Sequence, residues 1–201
     1  MTHRVAIFVF DQMEVLDFAG PYEVFTTASR VFERTRPAGP TPFNVFTVGQ
    51  TLAPVKARAG LDVTPNQSFA THPPIDLLII PGGVVTAELD KPSVIDWIAR
   101  CAPATRITAS VCTGAFLLAR AGLLDGKSAT THWEDQADLK AMFPTLNVTG
   151  GVRWVDQDNI VSSAGISAGI DMSLHLVERM VDRELALATA RQMEFDWTEN
   201  H

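Results

Sequence analysis

Cys112 is the residue of this sequence whose type and neighbours most clearly indicate a reactive side chain. It follows the apolar run "RITASV" and precedes the apolar run "GAFLLARAGLL", within Ser110-Val111-Cys112-Thr113-Gly114. Small residues two before and two after the cysteine are typical of a nucleophile elbow, a sharp strand-to-helix turn that exposes the central side chain. The N–H groups at the helix start would lower the pKa of the thiol and hold a developing anion. We predict an exposed, reactive thiolate; the alternative is a buried structural cysteine.

Asp17 is the second candidate. It lies in "EVLDFAGPYEVF" between the apolar residues Leu16 and Phe18, just past a first apolar run of strand length. A carboxylate in such a position either caps a helix that starts at Gly20-Pro21 or takes part in acid–base chemistry. The sequence leaves both interpretations open.

The second cysteine and the histidines have weaker patterns. Cys101 shares a predicted helical face with Val94 and Ile98, which indicates a structural residue of the core. His132 follows a predicted short strand and is a candidate general base, or else a hydrogen-bonded histidine beside Trp133. The remaining histidines lie at the termini, in a loop or on a helix: His3, His72, His175 and His201.

The elements that would position these residues alternate between strands and helices. Apolar runs of strand length and two hairpin-like segments predict the strands: Arg4–Phe10, "FNVFTVG", "PVKARAGLDVTPN", Ile75–Gly83, "RITASV", "SATTHW" and "VRWVDQDNIVSS". Helical spacing predicts the helices: Gly20–Phe32, "PSVIDWIARCA", "TGAFLLARAGLL", "EDQADLKAMF", Ile166–Val181 and Arg183–Asp196. This order predicts a doubly wound α/β fold, a mostly parallel sheet between helices, with ligands at the carboxyl ends of the strands.

Composition narrows the function classes. With 201 residues the chain is long enough for one domain, expected over residues 1–201. A net charge of -7 argues against a nucleic-acid or anionic-membrane partner, and no apolar run reaches the ~18 residues of a membrane span. The N-terminal stretch reads as a strand rather than a signal peptide. Two cysteines without metal-ligand spacing predict a reducing, cytoplasmic location, no disulfide framework, no metal and no cofactor.

Four motifs together resemble the ThiJ/PfpI superfamily, which has a flavodoxin-like, class I glutamine-amidotransferase-like fold. They are "LDFAGPYEVF", "IDLLIIPGG", "SVCTGAFLLARAGLLDGKSATTHW" and "SSAGISAGIDMSLHLVE". Within the superfamily the chain most resembles the isonitrile hydratases, which pair an early aspartate, here Asp17, with a Cys-Thr dipeptide, here Cys112-Thr113. Protease-like members instead carry a histidine after the nucleophile.

The resemblance implies roles for named residues. Cys112 would attack the terminal carbon of an isonitrile to give a thioimidate, with Asp17 as general acid and base, and an N-substituted formamide would leave. Thr113 and the Gly82-Gly83 loop would position the pair and the substrate. Gly165 and Ile166 would line the pocket. The resemblance also implies a homodimer that needs no cofactor.

Two other interpretations stay open. The same domain forms the ligand-binding half of some AraC-type regulators; the chain has no basic helix-turn-helix region before His201, which disfavours this interpretation. A redox sensor built on Cys112 is the other alternative. Cys101, expected to be buried, would be a poor resolving partner.

Overall fold

The fold is described from a computed structural model, which covers residues 1–36 and 39–200. The strands are β1 (His3–Phe8), β2 (Phe43–Gly49), β3 (Val55–Lys56), β4 (Asp62–Val63), β5 (Gln67–Ser68), β6 (Leu77–Ile80), β7 (Ile107–Val111), β8 (Ser128–Ala129), β9 (Asn147–Val148), β10 (Trp154–Gln157) and β11 (Ile160–Ser163). The helices are α1 (Val15–Thr35), α2 (Thr86–Leu89), α3 (Pro92–Cys101), α4 (Gly114–Arg120), α5 (Gln136–Met142), α6 (Ala168–Met180) and α7 (Arg183–Gln192).

A seven-stranded sheet with the order β10-β11-β7-β6-β1-β2-β5 organises the described residues. Neighbouring strands pair in parallel, except that β10 and β11 form an antiparallel hairpin. The doubly wound, mostly parallel fold predicted from the sequence is confirmed. The segment around Gly60 also forms the expected small antiparallel hairpin, β3 with β4.

The central strands are buried on both faces, as their continuous apolar runs predict. In β6, Leu78 and Ile80 pack into the core that α3 and α4 cover. The alternate residues Leu77 and Ile79 pack into the opposite core, beneath α1, α6 and α7. Burial on both faces fixes the register of the sheet, because a shift by one residue would exchange the two faces.

Helix α1 begins earlier than predicted. The sequence pattern predicts a start at Gly20, with Pro21 in the first turn, whereas the helix starts at Val15 and contains Pro21. Proline lacks the N–H that would bond to the carbonyl four residues earlier, a loss that the buried face of the helix outweighs. The earlier start places Asp17 inside the first turn.

Candidate functional site

The candidate residues meet at the carboxyl ends of four neighbouring strands, β11, β7, β6 and β1. Cys112 directly follows β7, the Gly82-Gly83 loop follows β6, and Gly165 follows β11. Asp17 follows β1 after a short turn. In open α/β sheets this edge is where ligands bind, so the topology collects the residues that the sequence singles out.

Cys112 adopts the backbone of a nucleophile elbow. Its φ angle is 53°, a left-handed conformation that is strained for a residue with a side chain. The sharp turn requires a glycine two residues later, because a Cβ on Gly114 would lie 2.1 Å from the carbonyl oxygen of Ile80. The Thr131 hydroxyl donates a hydrogen bond to the Cys112 carbonyl at 2.9 Å. The elbow predicted from the small residues is confirmed.

Asp17 is not a helix cap. Glu14 occupies the N-cap position of α1, and its side chain makes no capping hydrogen bond. The Asp17 carboxyl group is fully buried, and its Oδ2 accepts a hydrogen bond from the Gly82 N–H at 3.0 Å. Among the described residues, Oδ1 has no hydrogen-bond partner. A buried carboxyl oxygen without a partner is costly, and this cost makes Asp17 a candidate for acid–base chemistry.

Asp17 and Cys112 form a coupled pair. Burial raises the pKa of Asp17 to about 7; the Gly82 N–H acts against this rise, the charge of Glu14 adds to it, and the Cys112 thiol acts against it. Burial, and then the negative charge of Asp17, raise the pKa of Cys112 to about 12. Two adjacent buried groups cannot both be negative without a large cost, so the pair holds one proton over a wide pH range.

The exposure and the pKa of the Cys112 thiol both differ from those predicted from the sequence. Cys112 is buried, with 7% of its surface exposed, so the prediction of an exposed thiol is wrong. The expected lowering of its pKa is also wrong in direction, because burial and the Asp17 charge outweigh the helix start. The N–H groups of Thr113 and Ile166 do act in the expected direction, since their hydrogen bonds stabilise the thiolate and lower the pKa.

Thr113 joins the elbow to the loop after β6. Its hydroxyl donates to the Gly83 carbonyl at 2.8 Å and accepts from the Gly83 N–H at 2.8 Å. Gly82 must lack a side chain, because a Cβ there would lie 2.5 Å from the Thr113 nitrogen and 2.9 Å from Asp17 Oδ2. The backbone of the loop therefore lies directly against the Asp17 carboxyl group and the backbone of Thr113.

His132 lines the opposite side of the site. A Cβ on Gly165 would lie 1.9 Å from the His132 ring, so the glycine allows the ring and the loop after β11 to approach each other. Nδ1 of His132 accepts the Glu134 N–H at 3.4 Å. Within the described part of the chain no hydrogen bond joins His132 to Cys112. Its role as a general base stays a prediction.

These residues enclose a cavity of about 240 Å³, lined by Glu14, Arg58, Gly83, Cys112, Thr113, His132, Glu134, Asp135 and Ile166. No sequence motif predicts the charged residues of this wall. Arg58, in the β3–β4 hairpin, donates to Glu14 at 3.2 Å. Asp135 lies 3.5 Å from Nδ1 of His132. Neither residue is part of a local motif, because each enters the site through folding of a separate loop.

The other thiol and histidines lie elsewhere. Cys101 is half-buried at the end of α3, not fully buried as expected, and lies 4.0 Å from Nε2 of His72. Nε2 of His175 lies 2.7 Å from Asp156 on the far strand of the sheet. His201 lies outside the described residues. No helix in the described ranges is long and apolar enough to cross a membrane.

This combination of fold and elbow agrees with the comparisons with known proteins. The DJ-1/PfpI family matches residues 3–179. The chain belongs to the DJ-1/PfpI family.

Similar proteins include an enzyme and a regulator. The chain is 32% identical to the isonitrile hydratase of Pseudomonas putida over 97% of its own length and 79% of the relative. It is 34% identical to the HTH-type transcriptional regulator GbdR of Pseudomonas aeruginosa over 73% of the chain, which spans 40% of that regulator. A ThiJ/PfpI family protein from Pseudomonas syringae superposes with a TM-score of 0.85 at 28% identity, covering 98% of this chain and 76% of that one.

Proposed function

We propose that the protein is a hydro-lyase that adds water to an isonitrile to give an N-substituted formamide. The observation that carries the proposal is the fully buried Asp17 carboxyl group coupled to the Cys112 thiol. Addition to an isonitrile needs a proton donor and a nucleophile that act on one carbon atom. A pair that shares one proton supplies both.

The first step consumes the shared proton. The order of the two pKa values places the shared proton on the Cys112 sulfur, so the working form, a Cys112 thiolate beside a protonated Asp17, is reached by transfer of this proton from the sulfur to the Asp17 carboxylate. Asp17 gives its proton to the terminal carbon of R–N≡C, and the sulfur forms a C–S bond to the same carbon. The product is the thioimidate R–N=CH–S–Cys112, and Asp17 is left ionised.

The second step returns the proton. Asp17 accepts a proton from water as the hydroxide adds to the thioimidate carbon, and it passes this proton to the nitrogen. The tetrahedral adduct collapses: the hydroxyl proton goes to Asp17, a C=O bond forms and the C–S bond breaks. Cys112 leaves as thiolate, and the N-substituted formamide is released.

The surrounding backbone supports these steps. The N–H groups of Thr113 and Ile166 lie where they stabilise negative charge on the sulfur. Thr113 also fixes the Gly82-Gly83 loop, and Gly82 holds Oδ2 of Asp17. Gly165 keeps the opposite wall close. These contacts support positioning roles for Thr113, Gly82, Gly83 and Gly165.

The direct test uses cyclohexyl isocyanide as substrate. We expect purified protein to produce N-cyclohexylformamide, detected by mass spectrometry, and the Cys112→Ala variant to produce none above background. Dialysis against a chelator should leave turnover unchanged, because no step uses a metal. Formamide production that survives Cys112→Ala, or none from the folded wild type, contradicts the proposal.

A second candidate is a ligand-binding domain without catalysis, favoured by the similarity to GbdR. It predicts that cyclohexyl isocyanide or its formamide raises the melting temperature of the protein while no substrate is consumed. Turnover by the wild type excludes this candidate.

We also propose that the protein is a cytoplasmic homodimer. The resemblance described above and the two unpaired thiols support this assembly and location. Sedimentation of the full chain tests the assembly, since a monomer at micromolar concentration contradicts it.

A further inference from the structure

A second, larger cavity adjoins the Cys112 site. It forms a groove of about 690 Å³ between the loop after β6, α2, α4 and α5. Val84 and Met142 stand half exposed at its edges, whereas Phe116 is buried in its wall. The groove is largely apolar, and nothing in the proposed reaction mechanism accounts for it so far.

The groove shares part of its wall with the cavity around the thiol. Gly83, Thr113 and Asp135 line both. Ligand pockets typically measure about 300–1,000 Å³, a range that includes the groove but not the 240 Å³ cavity around Cys112. The smaller cavity has room for a reacting group, and the body of a ligand must extend beyond it.

The shape of an isonitrile fits this arrangement. The C–N–R unit is linear, so the substituent R points directly away from the carbon that the thiol attacks. It needs a continuous space that begins at the reaction site and leads outwards. The groove beside the reaction site has the apolar walls that an apolar substituent favours, and Phe116 and Met142 are among the residues that form them.

The charged residues of the groove further limit which substituents it can accept. Its charged lining residues among those described are Asp135 and Asp138, and none of the residues that line it is lysine or arginine. Two carboxylates in a lining whose described residues include no lysine or arginine repel an anionic ligand. The groove therefore favours neutral apolar groups over those that carry a carboxylate or phosphate.

We infer that this groove holds the N-substituent of the substrate and selects bulky, apolar, non-anionic isonitriles. The inference rests on the proposed function for the isonitrile group and adds the substrate class. Phe116, Val84 and Met142 are then specificity-determining residues.

The test compares three substrates and two variants, one in the groove and one outside it. We expect kcat/KM to be about tenfold or more higher for cyclohexyl isocyanide than for ethyl isocyanide, and lowest for isocyanoacetate. Met142→Glu should lower kcat/KM for cyclohexyl isocyanide about tenfold, a larger factor than for ethyl isocyanide, whose substituent makes less contact with the groove. Leu52→Glu is the matched control, because Leu52 is 54% exposed, like Met142 at 51%, and does not line the groove.

A second readout separates this inference from the proposed function. In a Cys101→Ser background, N-cyclohexyl iodoacetamide should alkylate Cys112 faster than iodoacetamide does, each rate being normalised to glutathione, and Met142→Glu should remove the preference. If isonitriles are turned over at rates that depend neither on the substituent nor on Met142→Glu, the assignment of the groove is wrong and the proposed function stands. If no isonitrile is turned over but the alkylation preference remains, the proposed function is wrong and the groove stands as a ligand site. Loss of both preferences overturns the inference.

Discussion

Cys112 and Cys101 are the two thiols of the chain, and burial raises the pKa of each. Beyond that they differ. Cys112 lies in a strained turn beside a buried carboxyl group with an unpartnered oxygen. Cys101 ends an ordinary helix. Burial raises its pKa, and the positive charge of Arg100 acts against this rise, whereas the charge beside Cys112 adds to it.

The side chains beside Cys101 are hydrogen-bonded to each other. Nε2 of His72 accepts the Trp97 indole N–H at 3.0 Å, so the imidazole proton is on Nδ1, which lies 2.8 Å from the Pro73 carbonyl. This histidine has no lone pair left for the thiol. Under the proposed function the reactive cysteine is the less exposed of the two, so exposure alone would select the wrong thiol. The more buried thiol, Cys112, has the partner that can exchange a proton.

The largest expected effect is loss of the Cys112 sulfur. Cys112→Ala should lower kcat at least ~10³-fold, because the nucleophile is absent. The same change at the other thiol, Cys101→Ala, should leave kcat within about twofold. Steady-state assays on both variants, with matching circular dichroism, decide the comparison. Equal losses in the two variants would contradict it.

Asp17→Asn should separate turnover from thiol reactivity. Turnover should fall ~10²–10⁴-fold, because the amide keeps the shape but cannot transfer the proton. Alkylation of Cys112 by iodoacetamide should instead become faster at mildly alkaline pH, because the negative charge that raises the thiol pKa is gone. Alkylation of Cys101 in the same sample is the internal control and should not change. A slower reaction of Cys112 would contradict the coupling.

The pH dependence tests the shared proton. Below the Asp17 pKa of about 7 the pair holds two protons, and above it one remains until the thiol value of about 12. The reactive form is the singly protonated one, so kcat/KM should rise about tenfold per pH unit up to about pH 7 and then level off. Asp17→Asn should lose this inflection. A flat wild-type profile from about pH 5 to about pH 9 would show that Asp17 does not titrate there.

Thr113→Val should give the smallest effect. The variant keeps the volume but removes both hydrogen bonds to Gly83, with an expected loss of about 1–3 kcal/mol in the free energy of unfolding. Thr113→Ser keeps the hydroxyl and serves as the control. Urea denaturation measures both. Cys101→Ser, which removes no such pair of bonds, should cost less, and a larger cost there would reverse the comparison.

Local patterns predicted part of this site. The small residues around Cys112 predicted the elbow because the turn is a local property of the chain. The burial of Cys112 and the charge that raises its pKa come from α1 and neighbouring loops, so no local pattern contains them. For the same reason Arg58 and Asp135 were missed. Pro21 misplaced the start of α1, because tertiary packing overrides a helix-start signal. The single domain over residues 1–201 stays a prediction.

The arrangement of the site at four strand ends has a consequence for how the protein folds. Asp17 and Cys112 lie far apart in the chain, and β6 lies in the sheet between β1 and β7, the strands that precede them. Parallel pairings of this kind close long loops and form late and slowly. A chain refolding from denaturant should therefore regain its far-ultraviolet dichroism before it regains catalysis. Recovery of the Asp17-dependent activity would then report when these central strands have paired.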